Sequence, residues 1–270
     1  MVVSSPLEIG RKLCEVSTGK CGAPLGRTLV MGFLGGAYIA LAGFFYTVVT
    51  QDGYGFVGVG VTRFLGGLAF SLGLVLVLVA GAELFTGNCL MPMPLLAGRL
   101  PLRGMVRNWC LVYLGNLLGA LGVAFLIRLS GLDSGMVGEN ALKVAAVKMS
   151  IPLGRSFFRG VLCNWLVALA VWMSYGAHGV GGKTAAVVLP VSAFVVCGFE
   201  HSVANMYFLA LGLMEVGRFV PHGVDISVVS FWGYLGNLVP VTLGNVAGAS
   251  VFVAVAYWKA LGDSLMSGDD

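Results

Sequence analysis

The stretch Gly198-Phe199-Glu200-His201-Ser202-Val203-Ala204-Asn205 lies inside an apolar run that extends from Thr184 to Met214. An ionisable group at membrane depth is costly, and it turns toward protein or water instead of lipid. A second stretch has the same design. Gly81-Ala82-Glu83-Leu84-Phe85-Thr86-Gly87-Asn88 closes the charge-free run that begins at Phe64. In both, a glutamate ends an apolar run and an asparagine follows five residues later. Every backbone N–H and C=O in hydrocarbon must be paired, so a polar break there is tolerated only inside protein or beside water. Paired breaks at corresponding places in two halves of a chain point to a translocation site. The plainer alternative is a pair of kinked structural helices with no pore.

Composition agrees with a membrane setting. Of 270 residues, 58% are hydrophobic and 10% are charged, against about 25% charged in an average soluble domain. Too few polar residues remain to cover a globule in water, which excludes a soluble enzyme, a nucleic-acid binder and a disordered chain. Glycine is abundant at 41 residues, and small residues let helices approach closely where lipid provides no hydrophobic drive between them. The net charge of +4 suits anionic lipid or an anionic solute and makes no case for nucleic acid.

Six hydrophobic spans can be read: 30–50, 64–82, 109–127, 160–182, the interrupted 184–214, and 226–258. The last is too long for one ~20-residue span, so its first turns are expected at the interface, with Pro240 a candidate kink. Six spans put both termini on one face. Arg11, Lys12, Lys20 and Arg27 before the first span, and Arg99, Arg103 and Arg107 between the second and third, favour cytoplasmic termini in a cell (inner) membrane. Arg128, Lys143, Lys148, Arg155 and Arg159 on the opposite face weigh against that. The opening Ser5-Pro6-Leu7-Glu8 is a capping box with proline at the first helical position, and Ile9, Leu13 and Val16 share one face. This organises the chain as an amphipathic helix over 1–27, a six-span domain over 28–259 and a cytoplasmic tail over 260–270. The helix reads as an interfacial anchor or as a mobile segment able to cover a pore mouth.

The chain also repeats weakly. Leu114 to Ala120 in the third span resembles Leu243 to Ala249 in the sixth, but Tyr113 to Leu117 matches Tyr234 to Leu238 equally well, leaving two registers open. Three spans per half is an odd number, so the halves are inverted repeats. The fold class is therefore an all-α membrane protein of six helices in two inverted repeats, with the second and fifth helices broken. Gly87, Pro92 and Pro94 predict a membrane-buried loop over 84–90 followed by a short half-helix. The fifth helix is expected to run to Gly198 and resume at Ala204.

His201 is the only histidine inside a span, and its imidazole can donate a hydrogen bond or a proton to an anion. Glu83 and Glu200 are expected to hold the breaks by accepting freed backbone N–H groups, with Asn205 beside the second. Thr86 and Asn164 could line a pore, and Lys148 could add positive potential at an outer mouth. Cys14, Cys21, Cys89, Cys110, Cys163 and Cys197 form no C-x-x-C pair and read as small hydrophobes. Gly53-Tyr54-Gly55-Phe56-Val57-Gly58 matches G-x-G-x-x-G but lacks a βαβ context. No cofactor, metal site or enzyme activity is expected.

Glu83-Leu84-Phe85-Thr86, Cys163-Asn164-Trp165 and Gly198 to Asn205 together resemble the formate/nitrite transporter family, over roughly Ser5 to Trp258. The resemblance implies an aquaporin-like fold, a homopentamer with one pore per protomer, and transport of small monovalent anions of weak acids. It implies that His201 is the central pore histidine and Thr86 its loop partner, that Asn164 lines the path, and that Lys148 lies in the outer vestibule. It further implies a cytoplasmic constriction of Leu74, Leu84 and Phe194 and a periplasmic one of Phe70, Phe85 and Val167. Phe70, Phe85 and Trp172-Met173-Ser174-Tyr175 lean toward formate, with nitrite and hydrosulfide open and protons the implied co-substrate. A neutral-solute channel would show paired Asn-Pro-Ala breaks, which are absent. An intramembrane enzyme would need a second catalytic group facing His201.

Overall fold

The computed structural model describes residues 4–266, whose regular structure is helical apart from one isolated bridge between Val216 and Phe219, with turns and loops joining the helices. Residues 1–3 and 267–270, the ends of the expected N-terminal segment and tail, lie outside the described residues. A capped helix α1 (Pro6–Gly22) leads into α2 (Leu25–Thr50), a short turn α3 (Gly53–Phe56), and α4 (Gly58–Leu76). After a π turn over Val77–Gly81 come the short α5 (Phe85–Asn88) and α6 (Pro92–Leu96), then the long α7 (Leu102–Ser130). The second half runs α8 (Met136–Met149), α9 (Leu153–Gly176), α10 (Gly179–Val196), α11 (Ser202–Glu215) and α12 (Phe231–Ala249). A second π turn (Ser250–Val255) joins α12 to α13 (Ala256–Met266). Six helical stretches are long and apolar enough to cross a membrane, from Leu25–Phe56 to Phe231–Gly262.

Backbone contacts between small residues hold each half together. α2 packs most extensively on α7, and α12 on α9. A Cβ at Gly36 would strike the Asn116 carbonyl, and one at Gly248 would strike the Val161 carbonyl. With no side chain there, the helices approach to backbone contact. The halves meet where α4 packs on α10. There Ser71 Oγ donates to Gly67 O at 2.8 Å and approaches Val188 O at 3.2 Å.

Some local expectations change. The first break is shorter than the 84–90 loop: only residues 82–84 leave helical geometry before α5 begins. Helical structure runs unbroken through Pro240, and the irregularity of the last span is the π turn after it. α13 continues through the start of the expected tail. The capping box forms as read, with Glu8 N donating to Ser5 Oγ at 3.3 Å and Ser5 N to Glu8 Oε2 at 2.6 Å. α1 is docked on α9, α7 and α13 with Ile9 and Leu13 buried, so its apolar face meets protein and not lipid.

Candidate pore at the crossing of two broken helices

Both breaks are built the same way. Gly81 and Gly198 adopt φ of +87° and +69°, a left-handed conformation that glycine takes without Cβ strain. Just after each glycine an N–H reaches back five residues, from Ala82 N to Val77 O (2.9 Å) and from Phe199 N to Phe194 O (3.0 Å). The glutamate N–H then bonds across to a neighbouring helix, Glu83 N to Met31 O (3.0 Å) and Glu200 N to Arg159 O (3.2 Å). The next residue, Leu84 or His201, is extended, and a half-helix follows.

One asparagine per half then pairs the exposed backbone. Asn116 on α7 accepts from Phe85 N (2.9 Å) and donates to Gly32 O (2.7 Å) and Glu83 O (2.8 Å). Asn245 on α12 accepts from Ser202 N (2.8 Å) and donates to Gly160 O (2.8 Å) and Glu200 O (2.9 Å). These matching bonds settle the repeat register: Leu114–Ala120 corresponds to Leu243–Ala249. Asn108 and Asn237 are the second matching pair.

The glutamate carboxylates do a different job from the one expected. They accept from side chains, while Asn116, Asn245 and helix carbonyls serve the backbone. Glu83 Oε2 accepts from Asn88 Nδ2 (2.6 Å) and pairs with Lys20 Nζ (3.2 Å), and Asn88 also donates to Asn108 (2.8 Å). Glu200 pairs with Lys148 Nζ (2.9 Å) and accepts from Asn205 Nδ2 (2.7 Å), which also donates to Asn237 (2.7 Å). Lys20, on α1, is therefore the repeat counterpart of Lys148, on α8. Lys148 is not a free cation at a mouth, because Glu200 compensates its charge.

The breaks meet at Thr86 and His201. Thr86 Oγ1 lies 2.9 Å from His201 Nε2, both residues being buried. His201 Nδ1 accepts from Ala204 N at 3.1 Å. That bond leaves Nδ1 unprotonated, so the neutral ring carries its proton on Nε2 and donates it to Thr86. Asn164 Nδ2 donates to Thr86 O (3.1 Å) and Asn245 O (2.7 Å), fixing the loop, while its buried Oδ1 has no partner among the described residues. Phe194 stacks on the His201 ring at 5.9 Å between centroids.

The apolar residues group differently from the expected constrictions. Phe70 and Phe194 are not in separate rings; they meet edge to face at 5.9 Å. Phe70 also stacks on Phe208 at 6.1 Å, a residue the sequence reading did not single out. The cause is the packing of α4 on α10. Phe85 instead packs on Tyr113 (4.9 Å) and Trp109 (6.1 Å) of α7. Leu74, Leu84 and Val167 are buried in the same core. Phe70, Phe194 and His201 form the floor of a cavity of about 370 Å³ that opens on the face away from α1.

A membrane channel built of two inverted three-span repeats, with its polar centre at two crossing breaks, is the class that this fold and site define. The family described as formate/nitrite transporter matches residues 7–259. A probable formate transporter of Methanothermobacter thermautotrophicus is 36% identical, over 94% of this chain and 96% of its own. The formate channel FocA of Escherichia coli (strain K12) is 36% identical, over 86% of this chain and 85% of its own. A solved pentameric formate channel with formate bound has a TM-score of 0.77 at 36% identity, covering 87% of this chain and 97% of its own. A solved FNT family ion channel has a TM-score of 0.82 at 31% identity, covering 93% and 98%. The chain belongs to the formate/nitrite transporter family, whose members are membrane channels and transporters and not enzymes.

Proposed function

We propose that the chain conducts small monovalent anions of weak acids, formate foremost, through a pore in each protomer of a homopentamer, with nitrite or hydrosulfide the alternative substrate. The observation that carries the reading is the Thr86–His201 contact at the crossing of the breaks, with the ring tautomer set by Ala204 N–H. The formate channels among the relatives supply the preference for formate. The termini are placed in the cytoplasm and the chain in the inner membrane, on the basic residues before the first and third spans.

Desolvation governs the mechanism. Carrying a bare anion past Phe70 and Phe194 costs several kcal/mol or more. The anion escapes that cost by taking a proton, crossing as the neutral acid and releasing the proton on the far side, so one proton moves with each anion. The site favours a relay of that proton from bulk water over direct donation by an imidazolium. A protonated His201 would carry N–H on Nδ1, facing the Ala204 N–H it now accepts from, and would leave both donors unpaired. The Nε2–H instead orders Thr86, whose hydroxyl offers a hydrogen bond to the anion.

Flux of formate, nitrite, hydrosulfide and chloride into proteoliposomes at two pH values tests the reading. Wild type is expected to pass formate fastest, to exclude chloride and to vary with pH. His201→Phe is expected to lose formate flux or its pH dependence. Unchanged flux together with an unchanged pH profile in the variant overturns the role of His201, and preference for nitrite or hydrosulfide moves the substrate while keeping the pore.

A further inference from the structure

The mouth facing away from α1 holds more positive charge than conduction of a monovalent anion calls for. Arg63, Lys143 and Arg159 all line the 370 Å³ cavity above Phe70 and Phe194. Among the described residues none of these three side chains has a carboxylate within ion-pair range; the ion pairs involve Lys20, Lys148, Arg128 and Arg218. Lys148 and Glu200 also line the cavity but neutralise each other at 2.9 Å. The concave space therefore carries three uncompensated positive charges on three different elements. Arg63 belongs to α4, Lys143 to α8 and Arg159 to α9. Like charges gathered in one cleft repel each other and together focus a field that draws anions.

Size narrows the class of anion. Pockets for small organic molecules run from about 300 Å³ upward, and this cavity is in that range. A formate ion would leave most of it empty and would answer only one of the three cations. We propose that this mouth is a binding site for a small di- or tricarboxylate, held by Arg63, Lys143 and Arg159, which occupies the pore without crossing it. Its carboxylates reach cations on three walls at once, and its carbon frame lies against the rings of Tyr46, Tyr54 and Phe208. Passage is closed to it because each added charge adds a desolvation cost at the Phe70–Phe194 contact. The ligand therefore acts as a plug from the α1-distal face. That effect on flux rests on the conduction reading above, whereas binding itself does not.

The test is equilibrium dialysis of radiolabelled citrate against the full chain in purely zwitterionic lipid, so that no anionic headgroup competes. Saturable binding of one citrate per chain is expected, and acetate at the same concentration should not displace it. The double variant Arg63→Gln/Lys143→Gln should weaken binding by about ten-fold or more, the factor expected for each 1.4 kcal/mol lost. Arg103→Gln, a charge removed from the α1 face, should leave binding unchanged. Absence of saturable binding, or equal affinity in the double variant with wild-type melting behaviour, overturns the site. In proteoliposomes, citrate should also inhibit formate flux over the concentration range of its binding, with weaker inhibition in the double variant relative to that variant's own flux. Citrate binding without formate flux would sustain the site and remove the conduction reading. Formate flux without citrate binding would do the reverse.

Discussion

Replacing Asn245 with alanine removes three hydrogen bonds from the second break in one step. Ser202 N and Glu200 O lose their partner, at a position with no solvent exposure, while Gly160 O inside α9 keeps its helical one. A buried polar group left unpaired costs about 1–3 kcal/mol, so the two together cost roughly 2–6 kcal/mol. Against a stability of about 5–15 kcal/mol that is a large fraction, and it corresponds to a fall in melting temperature of about 5 °C or more. Asn245→Asp should be no milder. It keeps an acceptor for Ser202 N but turns a carboxylate oxygen toward two carbonyls. The chain's own thiols provide the assay. Cys14, Cys89 and Cys163 are buried and free, so a thiol-reactive dye reports unfolding once the exposed Cys110 and Cys197 and the half-exposed Cys21 are blocked. Asn116→Ala removes the equivalent three bonds from the first break and should cost about the same. Melting of Asn245→Ala within about 2 °C of wild type, less than 1 kcal/mol by the same scaling, would refute the claim that this side chain holds the break.

Other consequences can be measured in the same preparations. Phe194→Ala opens the contact with Phe70 and should admit chloride; a chloride leak no larger than wild type would count against that contact as the barrier. Glu200→Gln leaves Lys148 without the carboxylate charge that compensates it at 2.9 Å and should increase the inhibition of formate flux by competing anions, whereas unchanged inhibition would show that the pair does not set the mouth's charge. Asp133, in the loop before α8, pairs with Arg218 (2.9 Å) and Arg128 (3.4 Å). Burial raises its pKa, but the hydrogen bond with Glu215 and the two guanidiniums more than offset this and hold it below the ordinary 3.8. A depressed carboxylate stabilises above its unfolded pKa, and that contribution is lost as pH falls through the folded value. Loop 131–135 should accordingly gain hydrogen exchange in acid below that ordinary value, and Asp133→Asn should remove the dependence.

The spans were legible because lipid imposes long apolar runs, and the breaks because ionisable residues interrupt them. The asparagines that hold the breaks were not. Tyr-Leu-Gly-Asn-Leu occurs at 113–117 and again at 234–238, so similarity alone could not choose a register. A usable signal was present: an asparagine stands eight residues before each functional one, Asn108 before Asn116 and Asn237 before Asn245. Only one register aligns both pairs. The partner of Lys148 was hidden for another reason. Glu200 is 52 residues away and is brought near by the packing of α8 on α11. The grouping of Phe70 with Phe194 likewise depends on how α4 crosses α10, which no local pattern encodes.

The symmetry of the frame isolates what is particular to the centre. Gly81, Glu83, Asn88, Asn108, Asn116 and Lys20 have the same residues at their counterparts, Gly198, Glu200, Asn205, Asn237, Asn245 and Lys148. These residues build and brace the breaks. Between the braces the halves diverge: Leu84 corresponds to His201, Thr86 to Val203, and Gly87 to Ala204. The N–H that fixes the histidine tautomer belongs to Ala204. Its counterpart in the first break, Gly87 N, faces a leucine position with no ring to accept from it. Each break thus contributes one polar side chain to the crossing, two positions out of register with the other, and they meet at 2.9 Å. A symmetric pair of histidines or threonines would lack this arrangement, in which a ring of fixed tautomer orders a hydroxyl. The duplicated scaffold holds the two breaks against each other, and the mismatch between its halves decides which polar groups meet there.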